Sequence, residues 1–255
     1  FFVQTAAIND KAQATEFDEE TMGRLIRFVS SHEVGHTLGL PHNMGSSVAY
    51  SVEDLRSPEF TKEYGTAPSI MDYARFNYIA QPEDGDVALM PNIGPYDKYS
   101  IMWGYKPIPG KTALEEKEIL DEWILEKAGD PKYRFGRQQF GVIDYTSQTE
   151  DLGDDSMNAS TYGIMNLKRI VPKLGEWTGK EGENYDDLET MYGQVLSQFN
   201  RYMGHVAGNV GGVKETYKAY GQEGAVYEHA PRDKQERAMA FLQEQLFDTP
   251  EWLID

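Results

Sequence analysis

The stretch His32-Glu33-Val34-Gly35-His36-Thr37-Leu38-Gly39-Leu40-Pro41-His42 places three of the chain's five histidines within eleven residues. His32 and His36 are four apart. On a helix, at about 100° per residue, they sit roughly 40° apart on one face, one turn above the other. Two imidazoles so placed can reach one ion. Glu33 lies beside them, next to the ion rather than on it. Gly39 has no Cβ, so the chain can turn sharply there and return His42 as a third ligand. Three neutral histidines and one open position describe a catalytic zinc site, because a structural site normally closes the fourth position with protein. Water on such an ion has its pKa lowered to about 7, and Glu33 is placed to take its proton.

Residues 18–38 read as the helix that carries this stretch. Asp18 or Thr21 caps it, and Met22, Leu25, Ile26 and Val29 recur at i, i+3, i+4 and i+7. Gly39 ends it, with Pro41 two residues on. Ser57-Pro58-Glu59 reads as the cap and first turn of a short helix stopped at Gly65. Residues 66–94, rich in Pro, Gly, Asn and Asp, read as irregular, and 95–104 as another helix. The Pro107-Ile108-Pro109-Gly110 stretch is the candidate domain boundary. Beyond it, Thr112 and Glu115 have capping-box spacing, and Leu120, Trp123, Ile124 and Lys127 continue a helix to Gly129. Residues 131–153 read as mixed loop. Helices follow at 154–170, 185–206 and 231–247, the last with Met239, Leu242 and Leu246 as its buried face. No strand pattern stands out. The expected fold is mainly α, in two parts: residues 1–105 with the metal helix, and residues 106–255 as a helical domain.

Composition narrows the function. Lys and Arg total 24 against 42 Asp and Glu, a formal net charge of −18 over 255 residues. Such a surface repels phosphate backbones and argues against a nucleic-acid partner. The absence of cysteine removes disulfides, thiolate ligands and a cysteine nucleophile together. No apolar run approaches the ~18 residues of a membrane span, so none is expected in this chain. No signal peptide opens it. The chain begins Phe1-Phe2-Val3 and ends just after Asp248-Thr249-Pro250-Glu251-Trp252, a helix-start pattern. Both ends therefore read as cut from a longer protein.

The histidine stretch resembles the long zinc signature of the metzincin metallopeptidases, H-E-x-x-H-x-x-G-x-x-H. That family also carries a methionine in a turn beneath its metal. Ser69-Ile70-Met71-Asp72-Tyr73, with Met71 29 residues beyond His42, looks like that turn, and Ser-x-Met-x-Tyr is similar to the astacin and serralysin branches. There the tyrosine approaches the metal and helps stabilise the tetrahedral intermediate. The resemblance implies Met71 as the floor of the site and Tyr73 as a stabiliser; taken alone, Met71 reads as a gap-filling core methionine. Residues 94–104 resemble the helix that closes metzincin catalytic domains, with Asp97 where a buried acid bonds back near the methionine turn. A solvent-facing Asp97 is the other reading. The segment 18–105 looks most like large bacterial zinc-dependent metalloproteases of this clan. Asn43, where some branches carry Asp, leaves the subfamily open. Metzincins place a substrate-holding β-sheet before the zinc helix. The 31 residues ahead of His32 are too few for it, so that sheet is expected to be missing or to lie on another chain.

The resemblance implies a zinc-dependent endopeptidase acting on a peptide or protein substrate, with a secreted or cell-envelope location. His32, His36 and His42 hold the zinc, Glu33 is the general base that later protonates the leaving amine, and Tyr73 assists. The alternative is a zinc-bound, non-catalytic binding or scaffold fragment whose helical half mediates protein interaction. The missing sheet motivates it; Glu33 and the open coordination position speak against it. Glu150, Asp151, Asp154 and Asp155 cluster four carboxylates and are a calcium candidate, without EF-hand spacing. A cap plus solvated charge also explains them. His205, near a helix end, reads as structural rather than as a second metal site. His229 reads as a loop residue, and Gly208, Gly211 and Gly212 as a turn.

Overall fold

The computed structural model describes residues 1–141 and 143–254. The chain is mainly helical. In order come α1 (Phe2–Thr5), α2 (Glu19–Thr37), α3 (Pro58–Tyr64), α4 (Pro95–Tyr105), α5 (Ala113–Lys127), α6 (Ser156–Ile170), α7 (Leu174–Thr178) and α8 (Asp186–Ala207). The strands β1 (Val213–Glu215) and β2 (Tyr227–His229) follow, then α9 (Arg232–Leu242). Among the described residues, no helix is long and apolar enough to cross a membrane.

Local chemistry sets the ends of the helices nearest the histidines. Asp18 caps α2 by accepting from the Thr21 amide at 2.9 Å. The other end is a Schellman turn. Gly39 takes φ +86°, which lets its own amide reach His36 O at 2.9 Å and the Leu40 amide reach Gly35 O at 3.1 Å. Ser57 caps α3 through the Phe60 amide, and Gly65 stops it at φ +73°. Glu115 closes the capping box of α5 on Thr112.

The inward face of α2 differs from the one its periodicity suggests. Thr21, Phe28, His32 and Gly35 are buried. Met22, Ile26 and Val29 are 42%, 58% and 49% exposed. The two faces are about one residue, or 100°, apart. The histidine pair decides between them, because the helix lies on the Met71 turn and His32 must face it. A similar correction holds at α9, where Ala238 and Leu242 are buried while Met239 and Leu246 are exposed. After Leu242 the chain widens into one π turn, in which the Asp248 amide reaches Gln243 O. That turn carries Leu246 off the buried face.

The core centres on α6 packed against α8. α1 rests on both, α7 and α9 pack on α8, and α9 also touches α6. One hydrophobic cluster draws Phe2, Leu55 and Tyr78 from before the Pro-Gly stretch and Leu167, Phe199 and Tyr202 from after it. The two strands form an antiparallel hairpin with Val213 opposite His229, so His229 lies in a strand rather than a loop. Three residues per strand are too few for alternation to show.

The four carboxylates read as a calcium candidate are used separately, and calcium is not supported. Glu150 accepts from Arg75 and Arg201. Asp151 is buried against Ser156, Gln148 and His205. Asp154 accepts from the Val52 amide. Asp155 caps α6 through the Asn158 amide and pairs with Arg237. His205 is buried, and its Nε2 donates to Thr149 O at 2.9 Å.

Candidate metal centre

Three imidazole nitrogens converge at the end of α2. His42 Nε2 lies 3.1 Å from His36 Nε2 and 3.2 Å from His32 Nε2. Tetrahedral zinc–nitrogen bonds of 2.0–2.1 Å would set such atoms about 3.3–3.4 Å apart, so the observed spacing fits. Each ring is fixed from behind at Nδ1. His32 Nδ1 donates to Ile70 O at 2.7 Å, His36 Nδ1 to Leu40 O at 2.9 Å, and His42 Nδ1 to Gln138 Oε1 at 2.8 Å. Carbonyl oxygens only accept, so each ring in its neutral form carries its proton on Nδ1 and a lone pair on Nε2. Three lone pairs therefore face one another with no donor among them. A cation is the natural fourth partner of that arrangement. Burial holds the His32 imidazole below the ordinary histidine range, which favours the neutral, ligand-competent form. Among the described residues these histidines are the one group of three or more His, Asp or Glu able to hold a metal ion.

The methionine turn lies directly under α2. Met71 is fully buried with Phe28 and Ile70. A Cβ at Gly35 would sit 2.2 Å from Met71 Sδ, so only glycine lets the helix approach this closely between His32 and His36. Asp97 is buried rather than solvent-facing. It accepts from Ser69 Oγ at 2.6 Å, the Ile70 amide at 2.9 Å and the Gly94 amide at 2.8 Å. The carbonyl of that same Ile70 holds His32. The Tyr73 ring stacks on His32 at 5.3 Å and lies 4.4 Å from His42. Glu33 is exposed on α2 beside the triad.

Two neighbours of the site carry no signal in local spacing. Gln138 is 96 residues from the His42 it holds. Asn43 brings it there: its amide nitrogen donates to Arg134 O and its amide oxygen accepts from the Gly136 amide. An ionised aspartate could make only the second bond. Outer-shell partners of a metal-bound histidine commonly contribute about 10–100-fold to affinity. Gln138→Ala should accordingly weaken zinc binding by about that factor, read by titration against a competing chelator. An unchanged affinity would mean that His42 is oriented without it.

The turn also carries a buried acid. Asp72 is completely enclosed; Oδ2 accepts from the Ser47 amide, whereas Oδ1 has no partner. Burial pushes its pKa up to about 8. The folded pKa exceeds the ordinary 3.8, so the folded chain holds this proton more tightly. The resulting stability is complete below about pH 4 and is lost as pH rises through about 8. Asp72→Asn mimics the protonated form. Its melting temperature should therefore gain on the parent's progressively from pH 5 to pH 8. An equal difference at both pH values would show that the carboxyl is already ionised in the fold.

A helical chain with three facing histidine nitrogens and a methionine packed beneath them defines a class, the metzincin-type metallopeptidases. The family model DUF4953, described as Met-zincin, matches residues 14–255, and the chain belongs to that family. No curated protein and no solved structure matches the chain. Family and triad together point to zinc and, in general terms, to a zinc metallopeptidase.

Proposed function

We propose that the chain is a zinc-dependent endopeptidase. The observation that carries this reading is the set of three inward lone pairs, each fixed by a hydrogen bond at the opposite ring nitrogen. His32, His36 and His42 would hold the ion through Nε2. When bound, zinc supplies Lewis-acid polarisation of a scissile carbonyl and acidifies a water molecule. Glu33 takes the proton of the attacking water and later delivers it to the leaving amine. Its exposed place beside the triad supports that role, because both transfers need access to substrate. Tyr73 offers its hydroxyl to the oxyanion that develops on the scissile carbonyl. Its contact with two of the three histidine rings supports this. Met71 and Gly35 form the floor on which the ligands stand. A secreted or cell-envelope setting rests on the family resemblance.

The test is digestion of a diverse peptide library by the zinc-loaded chain beside chelator-stripped chain, read by mass spectrometry. Cleavage that disappears on stripping and returns with zinc is the expected result. A zinc-loaded chain that cuts nothing would leave the non-catalytic scaffold as the better reading.

A further inference from the structure

Arg75 and Glu150 are the two non-glycine residues with left-handed backbone among the described residues, at φ +54° and φ +63°. Glycine or asparagine takes that conformation readily, whereas arginine and glutamate are strained in it. These two strained residues are 75 positions apart in sequence, yet they bond to each other. Arg75 Nε donates to Glu150 Oε1 at 3.0 Å, and Arg201 Nη1, from α8, reaches the same oxygen at 2.8 Å. The Glu150 side chain is 12% exposed, so the carboxylate is enclosed, while the Arg75 and Arg201 side chains that hold it are each 38% exposed. On its other side the Arg75 guanidinium serves the site: its Cζ lies 4.6 Å from the centroid of the Tyr73 ring, in cation–π range. Tyr73 in turn lies 4.4 Å from His42.

We propose that Arg75 is a positioning residue for Tyr73, and that Glu150 and Arg201 hold Arg75 in place. The C-terminal part of the chain would then complete the site rather than merely follow it. A tyrosine ring on a loop can swing away about χ1. A guanidinium set against its face, itself fixed by a carboxylate, removes that freedom and keeps the ring against the histidines. Strain retained at both ends of the bond is what a functional constraint would leave behind. This inference rests on the role proposed above for Tyr73.

Two readouts test it separately from that reading. The first uses no activity. In the chain labelled with ring-¹³C tyrosine, the Tyr73 resonance is identified by its loss in Tyr73→Phe. It should shift in both Arg75→Ala and Glu150→Gly. Glycine at position 150 relieves the backbone strain while removing the carboxylate, so this variant keeps the fold, checked by thermal melting. A Tyr73 resonance that stays in place in Glu150→Gly overturns the proposal. The second readout is kinetic. Glu150→Gly should lower kcat about tenfold with KM unchanged, as misplacement of a reacting group does. In the Tyr73→Phe background the same substitution should cost less than about twofold, because coupled residues are not additive. Equal losses in both backgrounds, or a loss confined to KM, would reduce the junction to a structural tie. If the resonance shifts but the parent chain cuts no peptide, the endopeptidase reading fails and the positioning stands.

Discussion

Glu33→Ala should keep its zinc and lose peptide cleavage by about 10³-fold, within the range that general acid–base groups contribute. The three nitrogens that face the candidate metal position belong to His32, His36 and His42, and Glu33 contributes no atom to that set. Its carboxylate stands exposed on the same helix. Removing it leaves the Nδ1 anchors of all three rings untouched, since those run to Ile70, Leu40 and Gln138. Metal content, measured by elemental analysis after gel filtration, should match the parent's. The loss should fall on kcat, because a proton transferred in the transition state is an interaction that ground-state binding does not use. Glu33→Gln keeps the shape and hydrogen-bonding reach but not the basicity, and should be nearly as inactive. If zinc and activity fall together in either variant, Glu33 belongs among the ligands. If Glu33→Ala cuts as well as the parent, another group takes the proton.

The parts of this site that could be read in the sequence are those governed by rules acting over a few residues. A His-x-x-x-His pair on a capped helix, a glycine able to take φ +86°, and a third histidine just beyond it are all short-range facts. They fix α2, its Schellman end and the return of His42. The same holds for Ser57 and Gly65 around α3. The methionine turn required a resemblance, because nothing local distinguishes Met71 from any core methionine. What could not be read is what depends on distant chain. Periodicity marks α2 as a helix but cannot say which of two faces 100° apart turns inward, and Met22, Ile26 and Val29 are exposed. Gln138 reaches His42 because Asn43 and the Met44 amide tie the loop at residues 134–136 to the segment beside His42. The run from Glu150 to Asp155 looks like a cation site because its charges are adjacent in sequence. In the fold each carboxylate is drawn to a different partner, Arg75 and Arg201 among them.

Zinc should raise the melting temperature of the parent chain and leave that of His32→Ala unmoved. Without an ion, the His42 acceptor nitrogen stands 3.1 Å from that of His36 and 3.2 Å from that of His32, lone pairs facing, which is unfavourable in a partly buried site. An ion removes that repulsion and binds only where the three rings are already assembled, that is, in the folded chain. Its free energy of binding therefore adds to stability, by about 2.7 kcal/mol at a zinc concentration 100 times Kd. For a chain of this size that is a rise of roughly 5–10 °C. The rise should shrink at pH 5.5, where protons compete for the same lone pairs. His32→Ala also leaves the buried Ile70 carbonyl without its donor, so the variant should be less stable than the parent even without metal. The decisive quantity is thus the zinc-induced shift and not the melting temperature itself. An equal shift in parent and variant would mean that zinc stabilises the chain from some other place, and the three histidines would lose their assignment as its ligands.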